Sequence, residues 1–218
     1  MHDAASDVVP YHAHQFDDAE QQYQTSTLGM WLFLGQEVLF FGAVFATYFY
    51  YFYMYPDAFE AASNHMSLTL GAFNTVVLIG SSLTMVFAVH AAQHGTKKAQ
   101  MAWLVATMVL GTVFLCVKAY EYTHKFHEGL VPGAYFTYHG PDAPQHQLFL
   151  CLYFAMTGLH ALHMIIGLGI LGTLVVLAKR DWFNAGYYSP VEMTGLYWHF
   201  VDLVWIFLFP LLYLIGRH

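Results

Sequence analysis

Apolar residues run along this chain in five blocks, each long enough to cross a bilayer at about 20 residues per crossing. Polar residues gather between them. The first block extends from Leu28 to Tyr53, the second from Leu68 to Ala92 and the third from Met101 to Tyr120. The fourth, Leu148 to Ala178, exceeds a perpendicular crossing and predicts a tilted or projecting helix. The fifth covers Met193 to Ile215. This pattern predicts an all-α polytopic membrane protein, with one bundle of five transmembrane helices as a single domain over residues 27–218. Residues 1–26 form a polar, acidic N-terminal tail carrying Tyr11, His12, His14, Phe16, Asp17, Asp18 and Glu20. Between the third and fourth blocks, the segment from Glu128 to Gln145 holds Gly129, Pro132, Gly133, Gly140, Pro141 and Pro144, which mark a turn-rich cap.

Composition agrees with the pattern. The chain is 58% hydrophobic and only 10% charged, against about 25% charged residues in soluble domains. Seven Lys and Arg residues in 218 are too few to solvate a globule of this size, so most of the surface faces lipid or partner subunits. The net charge of -7 and the lack of a basic patch exclude nucleic-acid binding. Residues 1–26 contain no Lys or Arg and the first apolar run is too long for a signal peptide. Cys116 and Cys151 both fall inside apolar blocks, so they are expected as small buried hydrophobes rather than a disulfide. Lys97, Lys98, Lys179 and Arg180 lie in the two loops on the N-terminal side of the bundle, against Lys118, Lys125 and Arg217 on the other. Basic residues stay inside, so the N-terminus is expected inside and the C-terminus outside.

A few polar groups interrupt the apolar blocks. Glu37 falls near half-depth in the first block, where an isolated charge is costly, so its carboxyl is expected neutral and hydrogen-bonded. His160 and His163 stand three residues apart on one helix face, as do His199 and Asp202, for which a mutual ion pair or hydrogen bond is open. Lys118 and Glu121 share that spacing and read as a self-neutralising pair near the membrane interface. Glu192 opens the fifth block, where a carboxylate suits the helix dipole. Gly158, Gly167, Gly169 and Gly172 permit close helix approach on the fourth. A membrane di-iron enzyme would need several histidine boxes, and this chain has no adjacent histidine pair, so no metal site is expected. A stand-alone proton-linked carrier would call for broken helices and inverted repeats, and no internal repeat is seen.

With these residues in place, the chain resembles subunit III of the haem–copper oxidases, specifically of cytochrome c oxidase. Trp31-Leu32-Phe33-Leu34-Gly35-Gln36-Glu37-Val38-Leu39-Phe40-Phe41 is similar to the family's WxFxxxExLFF segment. Gly158-Leu159-His160-Ala161-Leu162-His163 is similar to its GxHGLHV segment, with Ala161 in place of a glycine. Glu192, followed by Tyr197-Trp198-His199-Phe200-Val201-Asp202-Leu203-Val204-Trp205, is close to its E-x4-YWHFVDVVW segment.

The resemblance implies a five-helix form lacking the family's first two helices, in a multi-pass protein of the bacterial inner (plasma) membrane. It implies a non-catalytic chain with no cofactor of its own, haem and copper being held by partner subunits. Its work would be to stabilise subunit I, hold phospholipid and support proton uptake, in contact with subunit II and small subunits. Glu37, His160, His163, Glu192, His199 and Asp202 would be its intramembrane polar and lipid-cleft positions. The electron donor, cytochrome c or quinol, would bind elsewhere. Glu37 favours the cytochrome c branch, because some quinol-oxidase relatives have aspartate there. Subunit III of a quinol oxidase and the related nitric oxide reductase-associated subunit are the alternatives.

Overall fold

The computed structural model describes residues 15–133, 136–140, 142–183 and 186–216. Tyr11, His12, His14, Pro141 and Arg217, singled out above, lie outside the described residues. Six helices follow in order: α1 (Ala19–Met54), α2 (Pro56–Ser63), α3 (Leu68–Gln93), α4 (Lys97–His127), α5 (Ala143–Lys179) and α6 (Ser189–Tyr213). All but α2 are long and apolar enough to cross a membrane.

The helices run beyond the apolar blocks that predict them. α1 begins at Ala19 because Asp18 caps it, its carboxylate accepting the Gln21 N–H at 2.6 Å. The last residues of the presumed tail are therefore helical. At 37 residues α5 is about 55 Å long, well over the bilayer core of about 30 Å, as its apolar length predicts. α1 and α4, with 36 and 31 residues, overrun it as well. Pro56 stops α1, since the residue before a proline is driven out of the helical region. It then occupies the first turn of α2, a short helix that the periodicity does not announce. α2 turns Phe59 inward against Tyr48 of α1 and Phe149 of α5, at 5.5 and 5.4 Å between ring centroids.

α6 is the central element. More than half of its apolar stretch (56%) is buried, against 17% for α1. α6 packs on α3, α5 and α1, while α4 joins α3 to α5 on the far side. Two glycines make the centre close. A Cβ on Gly111 of α4 would meet the Trp198 ring at 2.8 Å, and one on Gly167 of α5 would meet it at 3.0 Å. Trp198 is thus a wedge seated between two helix backbones, and its indole N–H donates to Ser81 Oγ of α3 at 3.1 Å. Gly158, Gly169 and Gly172 play no such part: Gly169 has nothing within 4 Å of its Cβ direction, and the other two meet only ordinary contacts.

Helix ends carry carbonyls with no partner inside the helix. On α6 two of them are met from outside: Tyr48 of α1 donates its hydroxyl to the Leu211 carbonyl, and Ser63 of α2 donates to that of Leu212 at 3.1 Å. At one end of the bundle Lys97 donates to the Lys179 carbonyl at 3.1 Å and pairs with Asp181 at 2.6 Å. The two basic loops therefore lie side by side, as an up-and-down bundle requires. At the other end Lys125 donates to the His65 carbonyl at 2.6 Å and to Glu128 at 2.7 Å. Burial alone would raise the Glu128 carboxyl, but Lys125 and His124 outweigh it and hold it below its ordinary value.

One expectation fails here. Cys116 and Cys151 are exposed, not buried, because each lies on the outward face of its helix. Lys118 and Glu121 do form the expected pair, at 2.9 Å, and at 3% and 2% exposed it is enclosed between α4, α5 and α6.

Candidate functional site

The intramembrane polar groups gather into three clusters, each bridging different helices. In the first, α1 and α5 bring Glu37 and His163 together, with Glu37 Oε2 and His163 Nε2 3.2 Å apart. α1 buries only one side chain per turn or two along a narrow stripe, Leu34, Glu37, Phe41 and Tyr48, so Glu37 faces inward by register. Phe41 lies 5.1 Å from the His163 ring and walls the pair. Tyr197 of α6 donates to the His163 backbone carbonyl at 2.9 Å and ties this turn of α5 to the centre.

The tautomer follows from geometry. His163 Nδ1 is 2.8 Å from the Leu159 carbonyl. A carbonyl only accepts, so Nδ1 carries a proton. Nε2 then either accepts a proton from a neutral Glu37 carboxyl or, in the imidazolium, donates to the carboxylate. In both states the pair is neutral overall and shares one proton across the Glu37–His163 contact, which meets the cost of placing an acid at this depth.

His160, three residues earlier, does not join it. The side chain is fully buried between Phe114 and Trp205, at 5.3 Å from each ring, and neither ring nitrogen has a hydrogen-bond partner among the described residues. Shared helical spacing brought the two histidines close in register, yet α5 turns one toward α1 and the other into the α4–α6 interior.

The second cluster lies between α3 and α6. His199 and Asp202 do not bond each other. His199 Nδ1 is 2.6 Å from Ser82 Oγ, and Asp202 Oδ2 accepts a long bond from Ser81 at 3.5 Å. The serines of α3 supply nearer partners than the helix's own i,i+3 geometry. Glu192, in the first turn of α6, accepts from the Tyr23 hydroxyl of α1 at 3.3 Å.

The third cluster builds on the Lys118–Glu121 pair that the spacing announces. Lys118 donates to Glu121 at 2.9 Å, Tyr153 at 3.0 Å and Tyr213 at 2.9 Å, which uses all three ammonium protons. Tyr213 donates in turn to the other Glu121 oxygen at 2.7 Å. The ammonium also lies 5.0 Å from the Tyr153 centroid and 5.3 Å from Trp205. The available signal was a lysine set within Leu115-Cys116-Val117-Lys118 with tyrosines on two other spans, a composition that suits a saturated buried ion pair. Among the described residues no group of three or more His, Cys, Asp or Glu side chains is arranged to hold a metal ion.

Comparison with known sequences adds an independent line. The family described as Cytochrome c oxidase subunit III matches residues 5–217. The chain is 32% identical to "Quinol oxidase subunit 3" of Bacillus spizizenii, over 93% of this chain and 96% of that protein. It is 31% identical to "Cytochrome c oxidase subunit 3" of Alkalihalophilus pseudofirmus, over 87% and 86%, and 32% identical to the protein of that name from Thermostichus vulcanus, over 94% and 92%.

Proposed function

Since this chain belongs to the cytochrome c oxidase subunit III family, we propose that it works as a non-catalytic membrane subunit of a bacterial haem–copper terminal oxidase. The observation that carries the reading is the family match over residues 5–217, which takes in all five spanning helices. Haem and copper belong, in this reading, to partner subunits, chiefly subunit I, with subunit II and smaller subunits completing the complex. The chain lies in the cell's inner membrane with its N-terminus inside. Its tasks are to brace subunit I, to hold phospholipid along the sparsely packed α1, where the Glu37–His163 contact fastens α1 to α5, and to support proton uptake by the complex.

The electron donor is a property of other subunits. Relatives named for quinol and for cytochrome c stand at nearly equal identity, so likeness does not favour either. Purification through a tag on this chain from aerobically grown cells tests the reading. A haem-bearing complex that reduces oxygen should co-purify, and its turnover with reduced cytochrome c against quinol assigns the branch. Recovery of the intact chain from native membranes without any haem protein would refute the proposal.

A further inference from the structure

Histidines gather at the end of the bundle where the α2–α3 turn meets the start of α5. His65, in that turn, faces His146, in the first turn of α5, with 6.1 Å between ring centroids. His146 is only 5% exposed, and Tyr138 of the cap lies flat on it, at 4.5 Å between centroids and 7° between planes. Tyr138 is itself backed by Gly140, where a Cβ would meet its ring at 2.6 Å. The two imidazoles thus form a seam: one belongs to the turn, and the other holds the cap through Tyr138. His65 stays open to water, since it is exposed and borders a polar cleft of about 350 Å³.

With both rings neutral the seam carries no charge. His65 Nδ1 is 3.0 Å from the Ala61 carbonyl and so holds a proton, which leaves Nε2 to take the next one. Acid below the ordinary imidazole value of about 6.5 turns both rings into imidazolium. Two like charges then stand 6.1 Å apart and repel, the more so where one ring is shielded from water. The Lys125 ammonium, which donates to the His65 carbonyl at 2.6 Å, adds a third positive charge. The carboxylates bordering the cleft are already engaged, Glu121 by Lys118 and Tyr213, and Glu128 by Lys125 and His124. His146 also stands in the first turn of α5, the positive end of the helix dipole. Asp142 and the Tyr138 face favour its charge, but Asp142 is exposed and screened by water, and one tyrosine face attracts a cation weakly. His139 of the cap is exposed and adds positive charge in acid.

We propose that His65 and His146 form a proton-operated latch, which holds the cap against the α2–α3 turn while both rings are neutral and releases it when both are protonated. The latch is closed above the imidazole range and opens as pH falls through it, a two-state element biased by histidine charge. The position of the cap then follows acidity at the end of the bundle opposite the start of α1. This device goes beyond the reading of the chain as an oxidase subunit and does not depend on it.

Paired spin labels test it in the full chain purified with its native partners. Ser67→Cys in the turn and Thr137→Cys in the cap, both exposed positions, carry the labels, after Cys116→Ser and Cys151→Ser remove the native thiols. Electron–electron distance measurements at pH 7.5 and pH 5.5 bracket the imidazole value of about 6.5. The closed-distance population should fall at least threefold from the higher pH to the lower. His65→Gln and His146→Gln, which keep a polar side chain that cannot be charged, should each hold the cap closed at both pH values. His124→Gln, on α4 and outside the seam, should leave the opening in place. A cap that stays closed at pH 5.5 with both histidines present, or that still opens in both Gln variants, would overturn the latch. Should His146→Gln already loosen the cap at pH 7.5 by disturbing the Tyr138 stack, the exposed His65→Gln decides alone.

Discussion

Glu37 Oε2 faces His163 Nε2 at 3.2 Å, and that makes substitutions at Glu37 separable. Glu37→Gln keeps an N–H that can donate to His163 Nε2 but removes the titratable proton, and Glu37→Leu removes both. If the pair serves only to fasten α1 and nearby lipid, Gln should be mild and Leu should release the subunit or its lipid. If its proton is used, Gln should already slow proton uptake or shorten the active lifetime of the complex. We expect the fastening role to dominate, with haem spectra and initial oxygen turnover unchanged in Glu37→Gln. Complete loss of initial activity in an assembled Glu37→Gln complex would contradict this. Lys118 and Glu121 follow a different rule. Removing one member leaves an uncompensated charge in a closed interior, so Lys118→Met or Glu121→Leu should each cost about 3–5 kcal/mol. The double variant Lys118→Met/Glu121→Leu should recover part of that loss, which thermal unfolding of the purified complex followed over a double-mutant cycle would show. The sequence made Glu37 legible because an acid in an apolar block is conspicuous by itself. The pairing of Lys118 and Glu121 was legible from their spacing, but its burial was not, since only the tyrosines of α5 and α6 enclose it.

Helix approach depends on the notch around Trp198. Gly111→Leu places a branched side chain where only 2.8 Å is open to a rigid ring, so α4 must move away. The expected cost is about 1–3 kcal/mol, as for other overpacked sites, and a lowered midpoint of thermal unfolding measures it. Gly169→Leu, with open space before it, should leave the midpoint in place. At the end of α4, Glu128 gives a pH prediction. Its folded-state pKa lies below the ordinary 4.5. The stability it lends is complete above that value and is lost only as pH falls through the depressed one. At neutral pH its replacement by Gln should therefore lower stability, and the difference from the unaltered protein should close only in acid. A difference that vanished near neutral pH would show that the contact with Lys125 is not formed. The five spans were readable as elements because length and hydropathy suffice at membrane depth. α2 was not, since eight residues with one buried aromatic give no period to detect.

The whole bundle is built around α6 and is open elsewhere. Leu32, Leu39, Tyr50 and Tyr53 of α1 are all more than half exposed, as are Val76 of α3 and Ile165 of α5. An isolated chain in mild detergent should therefore lose its fold at lower temperature than the same chain in its complex, as fluorescence of its five tryptophans would report. Equal stability in both settings would count against the assignment of that surface to partners and ordered lipid. Fold class and crossing number were carried by local pattern, whereas the partners of His160, His199 and Asp202 depended on which helices meet, information that no single segment contains. The central position of α6 also bears on biosynthesis. Of the five spans it leaves the ribosome last, yet it brings Trp198 to the notch between α4 and α5 and Tyr213 to Lys118 and Glu121. Until it arrives, the nascent chain holds four inserted helices around a vacant axis, with a lysine and a glutamate that lack Tyr213, the partner they share. Translation that stops short of α6 leaves an intermediate marked by exposed charge in the bilayer, the kind of lesion that membrane quality control can read. Commitment to the folded state is thereby deferred to the final stretch of synthesis.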